Sequence, residues 1–210
     1  MRGCSFALFS LLLACSSPTA DPPTTSPPAD RAEPSADAAD AADAGPVEAD
    51  RVAYFAGGCF WGVEHYMEQL PGVADVRSGY MGGNVDSPSY EQVVGHTTGH
   101  LETVAVHYDS SRVSYAEVAK LFFEIHDPTQ ANGQGPDIGE QYLSAVFYST
   151  PEEKQAVEGL IAKLRERGYD VVTSLREADQ FWPAEDYHQD YYARTGKTPY
   201  CHARVDRFGD

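Results

Sequence analysis

The feature that most limits how this chain can fold is a break in composition near residue 50. Residues 16–50 hold seven of the chain's fourteen prolines and ten alanines, with no aromatic residue and Val47 as the single larger aliphatic side chain. Such a stretch cannot bury enough apolar surface to offset the entropy of ordering it. It reads as a disordered tether, stiffened in places by proline, with a coil dimension of roughly 35 Å. The foldable part is therefore one domain over residues 51–210.

The start of the chain is an address. Arg2 supplies a positive charge, Ser5 to Ala14 an apolar run, and small residues follow. Ten such residues cross only about half of a bilayer, so residues 1–14 read as a signal peptide and not as a transmembrane helix. The run ends in Leu12-Leu13-Ala14-Cys15, which resembles the lipobox of bacterial lipoproteins. That resemblance implies cleavage before Cys15, lipidation of Cys15, and a tether of residues 15–50 reaching out from a membrane on the periplasmic side. Ser16 after the cysteine favours the outer membrane over the inner. Ordinary secretion with cleavage near Ala20 is the alternative.

The formal net charge of −17 is spread over tether and domain, with 24 acids against 13 bases in residues 51–210. An acidic domain with no basic stripe is a poor partner for nucleic acid. Of the four cysteines, Cys4 leaves with the signal and Cys15 is taken by lipid. Cys59 and Cys201 remain, near the two ends of the domain, and outside the cytoplasm they either pair structurally or cycle chemically.

Periodicity and punctuation predict strands over Val52–Phe55, Val73–Tyr80, Leu101–Tyr108, Tyr142–Tyr148 and Val171–Leu175. Helices are expected over Phe60–Leu70, from a capping box at Ser114 to about His126, from Thr150-Pro151 to Gly168, and over Pro183–Tyr192. Long loops lie over Met81–Ser89 and Asp127–Gly139. The order strand-helix-strand, strand-helix-strand predicts an α+β two-layer sandwich with a mixed sheet and extensive loops.

Chemistry concentrates at Gly57-Gly58-Cys59-Phe60-Trp61-Gly62. A strand, two glycines and a helix start put Cys59 where N–H groups and the helix dipole favour a thiolate. Phe60 and Trp61 would form an aromatic wall beside it. In Leu101–Tyr108 a period of two puts Glu102 on the face of Val104, Val106 and Tyr108. A carboxyl facing an apolar layer has its charged form penalised and its pKa raised, as a general acid near neutrality needs. The bland readings are a buried structural cysteine and a glutamate emerging into water at a strand end. Taken together, a thiol nucleophile, an acid and a second distant thiol fit reduction of a sulfoxide, which leaves the first cysteine as a sulfenic acid.

Six ordered motifs extend this pattern: Gly79-Tyr80-Met81-Gly82-Gly83, Pro88-Ser89-Tyr90-Glu91-Gln92-Val93, Thr98-Gly99-His100-Leu101-Glu102, His126-Asp127-Pro128, Asp137-Ile138-Gly139-Glu140-Gln141-Tyr142 and Ala184-Glu185-Asp186-Tyr187-His188-Gln189. With Gly58-Cys59-Phe60-Trp61-Gly62 they resemble the A-type peptide-methionine sulfoxide reductases over about residues 52–202. The resemblance implies a ferredoxin-like core and reduction of the S epimer of methionine sulfoxide, free or in proteins. It implies that Cys59 attacks the sulfoxide sulfur and that Phe60 and Trp61 hold the methyl group. Glu102, assisted by Tyr90 and Tyr142, would protonate the oxygen, and Asp137 would help to fix the substrate. The family's additional resolving cysteine is absent at Val93-Val94-Gly95, which leaves Cys201 to form a Cys59–Cys201 disulfide. No bound cofactor or metal is implied, and a thioredoxin-like dithiol would supply electrons. Three other readings compete: a Cys–His hydrolase, a metal site around His96 and His100, and a binding lipoprotein stapled by a structural disulfide.

Overall fold

A computed structural model describes residues 47–209. The signal peptide, Cys15 and nearly all of the tether lie outside the described residues. The domain carries eight strands: β1 (Arg51–Gly57), β2 (Val73–Met81), β3 (Leu101–Tyr108), β4 (Gly133–Gln134), β5 (Asp137–Ile138), β6 (Ser144–Tyr148), β7 (Ser174–Glu177) and β8 (Trp182–Pro183). Its helices are α1 (Phe60–Met67), α2 (Tyr90–Val94), α3 (Tyr115–Ile125), α4 (Pro151–Glu166) and α5 (Tyr191–Thr195). Six strands form one sheet in the order β7-β6-β1-β3-β2-β8, and β4 pairs with β5 alone. All pairs in the large sheet are antiparallel except β6 with β7. The run β1-α1-β2-β3-α3-β6 with spatial order β6-β1-β3-β2 is the ferredoxin-like βαββαβ arrangement, so the expected α+β mixed sheet is the observed one.

Local chemistry explains the helix starts. Ser114 accepts from the Glu117 N–H while the Glu117 carboxylate accepts from the Ser114 N–H, closing a capping box. Thr150 accepts from the Glu153 N–H, and Pro151 opens α4 where its missing N–H costs nothing. In α4 the buried residues Val157, Leu160, Ile161 and Leu164 recur at helical spacing and face the core. The main core joins them to Phe55, Val63, Met67, Val104, Val106, Phe122 and Ile125 on one face of the sheet. Each such buried side chain contributes about 1.5–3 kcal/mol. The opposite face carries a smaller cluster of Ala56, Met81, Leu101, Ala145 and Phe147 under loop residues.

Departures from the predicted elements have identifiable causes. The last helix does not run over Pro183–Tyr192. Trp182 and Pro183 pair with Tyr80 and Gly79 as an edge strand, and Asp190 sits in the left-handed region at φ 52°. Between them the Gln189 side chain accepts from the Ser78 N–H and donates to the Ser78 carbonyl. These side-chain bonds replace helical ones. The start predicted for the fourth strand, Tyr142, belongs to a 3₁₀ turn over Glu140–Tyr142. The strand predicted at Val171 starts at Ser174. An unpredicted short helix, α2, is opened by a second capping box between Ser89 and Gln92.

Candidate active site

Cys59 is the residue before the first turn of α1, buried at 6% exposure. Gly58 reaches that turn with φ +98°, and a Cβ there would sit 2.3 Å from the Gln134 side chain. Gly62, one turn into α1, is equally constrained, since a Cβ would lie 2.1 Å from His202 Nδ1. The glycines of the motif thus make room for the protein's own Gln134 and His202. The Phe60 N–H, freed by the helix start, donates to Glu102 Oε2 at 3.0 Å.

Glu102 lies in the middle of the sheet opposite Tyr80 and is 2% exposed, which sets aside the solvent-facing reading. Burial, followed by the neighbouring Cys59, holds its carboxyl well above the usual carboxylate range. Its proton is held to higher pH than that of a free glutamate, the direction a general acid needs. The expectation of a resting thiolate at Cys59 is corrected. A hydrogen bond with Cys201 comes first and burial second in pushing the Cys59 thiol up, and they outweigh the opposing hydrogen bond from the Trp61 N–H. The eight-residue helix offers roughly half a positive charge at its N-terminus, too little against a buried, partnered thiol.

Cys59 and Cys201 are both unbridged. Their sulfurs and a carboxylate oxygen of Asp137 lie within 4.8 Å of one another. A structural zinc site takes four such donors, whereas two free thiols at this separation make a dithiol pair facing a carboxylate. Asp137 accepts from the Tyr200 hydroxyl at 3.0 Å to each oxygen. Tyr90 and Tyr142 are half-buried. Burial first, then the charge of Glu102, pushes both phenols up, Tyr90 to about 12. The residues assigned to catalysis from sequence lie together: Cys59, Cys201 and Asp137 are mutually close, Glu102 is bonded to the Phe60 N–H, Tyr90 and Tyr142 feel both Glu102 and Cys59, and Phe60 and Trp61 adjoin Cys59.

The aromatic wall is larger than sequence reasoning implied. Trp61 stacks on Tyr191 with centroids 3.8 Å apart and planes 8° from parallel, and its Nε1 donates to His188 Nδ1 at 3.2 Å. Phe60 is fully buried against Tyr80 and His188. The segment around Cys201 has no regular structure and is held by side chains. Gln134 Nε2 donates to the Cys201 carbonyl at 3.2 Å, and Arg204 pairs with Glu124 at 2.9 Å. His188, Tyr191, His202 and Gln134 were not assigned roles from sequence. Only the adjacency of His202 to Cys201 could have signalled one of them.

Chemically, a buried neutral acid, a thiol at a helix start, an aromatic wall and a second thiol within reach can cleave a polarised bond to oxygen and regenerate the first thiol through a disulfide. The family model for peptide methionine sulfoxide reductase matches residues 51–209. Peptide methionine sulfoxide reductase MsrA 1 of Rhodopirellula baltica is 45% identical over 157 residues, covering 74% of this chain and 82% of the relative. The enzyme of Acinetobacter baumannii strain AYE is 47% identical over 153 residues, covering 73% and 88%. Among solved structures, reduced Mxr1 from Saccharomyces cerevisiae, which has also been solved in complex with Trx2, superposes with a TM-score of 0.69 at 33% identity over 75% of this chain and 93% of that one. Methionine sulfoxide reductase A of Corynebacterium diphtheriae gives 0.63 at 33% identity over 71% and 76%. The chemistry of the site and the extent of these matches lead to one conclusion: the chain belongs to the peptide methionine sulfoxide reductase family.

Proposed function

We propose that this domain reduces the S epimer of methionine sulfoxide, free or in proteins, outside the cytoplasm, at the end of a lipid-anchored tether. The observation that carries the reading is the convergence of two free thiols, Cys59 and Cys201, beside the buried Glu102, whose carboxyl is bonded to the Phe60 N–H and holds its proton above the usual carboxylate range. In the first step the Cys59 sulfur attacks the sulfoxide sulfur while Glu102 gives its proton to the oxygen. Tyr90 and Tyr142 donate hydrogen bonds to that oxygen, and their raised pKa values keep them protonated. Transfer of the hydroxyl releases methionine and leaves Cys59 as a sulfenic acid. The proton lost by the Cys59 thiol replaces the one that Glu102 gave. Phe60 and Trp61 supply the apolar wall for the methyl group, and Asp137 accepts from the substrate's backbone.

In the second step Cys201 attacks the Cys59 sulfenic sulfur, water leaves, and a Cys59–Cys201 disulfide forms. A thioredoxin-like dithiol restores both thiols, as the yeast relative's complex with Trx2 suggests by analogy. Cys201 lines a groove of about 220 Å³ with His126, Gln134, Tyr200 and His202, which offers a route to it. Incubating the domain with each epimer and dithiothreitol tests the proposal: the S epimer should be consumed and the R epimer spared. Consumption of neither would remove the enzymatic reading. The anchor rests on Leu12-Leu13-Ala14-Cys15, and mass spectrometry of the mature N-terminus should find diacylglyceryl-modified Cys15. An unmodified N-terminus beyond Cys15 would overturn it.

A further inference from the structure

We infer that His202 is the base that deprotonates Cys201 when it resolves the oxidised Cys59, an inference that rests on the cycle proposed above. His202 Nε2 lies 2.7 Å from the carbonyl oxygen of Gly57. A carbonyl only accepts, so Nε2 carries the proton and Nδ1 of the neutral ring is a bare acceptor. That nitrogen lies 3.1 Å from Cys201 Sγ, and a thiol has one proton to give. The ring is fixed in this pose from two sides: the strand before Cys59 holds Nε2, and Gly62 leaves the space that Nδ1 occupies.

The titratable groups facing the ring are few. Asp137, on β5, favours the charged ring; His126, at the end of α3, is near enough for a charged His202 to lower its own pKa; Tyr66, on α1, donates to the His202 carbonyl at 3.5 Å. Asp127 and Arg207 line the same groove. Burial is the largest influence and keeps the imidazole below its ordinary pKa, so it is neutral and able to accept near pH 7.

The step balances as follows. The Cys201 S–H bond breaks and its proton passes to His202 Nδ1. The sulfur's electron pair forms the bond to Cys59 Sγ, and the S–O bond of the sulfenic acid breaks. The departing hydroxide takes up a proton to leave as water, and the imidazolium returns its proton through the groove to solvent. The pair from Cys201 is shared in the new S–S bond, which brings the thiol sulfur and the sulfenic sulfur to the same disulfide level; the products are a disulfide and one water.

His202→Gln separates the ring's two nitrogens, because the glutamine amide can still donate to the Gly57 carbonyl but offers no base to Cys201. The reduced protein receives one equivalent of S-methionine sulfoxide without reductant and is quenched over time. Methionine is measured by chromatography, and the Cys59 sulfenic acid by trapping with dimedone and mass spectrometry. Methionine should form at the wild-type rate in His202→Gln, while the sulfenic acid persists about 100-fold longer, the low end of what a positioned base contributes. In the wild type, disulfide formation should rise with pH until the imidazole is neutral and then level off. In the variant it should keep rising with hydroxide. His202→Ala with added imidazole provides a second route, since imidazole should restore resolution if a base is what is missing. Resolution at the wild-type rate in His202→Gln, or an unchanged pH dependence, overturns the assignment. Failure to form methionine in the wild type would instead overturn the catalytic cycle on which it rests.

Discussion

Glu102→Gln is the substitution that best isolates the chemistry from the fold. The carboxyl accepts from the Phe60 N–H at 3.0 Å through one oxygen, and a glutamine carbonyl can take that bond unchanged. Its amide N–H₂ then occupies the place of the acid O–H, so the substrate oxygen keeps a hydrogen bond but loses a transferable proton. Loss of a general acid costs about 10²–10⁴ in rate, or roughly 3–5 kcal/mol of barrier. Stability should move the other way. Burial raises the folded pKa of Glu102, so the folded state holds a proton that the unfolded chain releases above about pH 4.3. The wild type therefore loses stability as pH rises from there through the folded pKa, and an uncharged glutamine avoids that loss. The assay is single-turnover methionine release beside thermal melts over a range of pH. Burial and then the charge of Cys59 hold the Glu102 proton, so kcat/KM should fall at high pH as the acid is lost. In Glu102→Gln the high-pH limb should disappear. A variant keeping more than a tenth of the wild-type rate would refute the acid role.

Cys201→Ser should release one methionine per enzyme and then stop with thioredoxin as reductant; sustained turnover would show that resolution bypasses Cys201. Gly62→Ala sets about 1 kcal/mol of helix propensity against about 1–3 kcal/mol of overpacking on His202, so its melting temperature should fall only slightly while trapped sulfenic acid accumulates. Thr150→Ala removes the acceptor for the Glu153 N–H and should cost about 1 kcal/mol in denaturant unfolding with turnover unchanged.

What could be read from the sequence was what is local in the chain. The alternation of Leu101–Tyr108 placed Glu102 on the face of the main core, because a strand has only two faces and Val104, Val106 and Tyr108 share that of Glu102. The capping box at Ser114 and the proline at Pro151 mark helix starts by bonds that span three residues. The ionisation of Cys59 could not be read this way. The helix start is visible in Gly58-Cys59, but the hydrogen bond to Cys201, 142 residues away in the chain, is not. The same limit applies to Pro183–Tyr192, where a helical pattern is overridden by Gln189 bonding to Ser78 and by Asp190 at positive φ. The tryptophan wall is completed by His188 from that irregular segment and by Tyr191 at the start of α5, so neither could be assigned from spacing.

The segment bearing Cys201 has to be held well enough to keep two sulfurs close, yet loosely enough for a substrate to enter. The hydrogen bonds divide that work. His202 and Gln134, both buried, tie the backbone and ring around Cys201 to Gly57 and to β4. Asp137, in contrast, is held by one hydroxyl, that of Tyr200, which spreads a single proton over both carboxylate oxygens. Tyr200 is 62% exposed, and a hydrogen bond so open to water contributes about 1 kcal/mol at most. In the proposed cycle a substrate amide displaces it at little cost and leaves the buried ties intact. On that proposal the carboxylate is positioned before substrate arrives and released to it on arrival, while the distance between Cys59 and Cys201 is set by the bonds of His202 and Gln134.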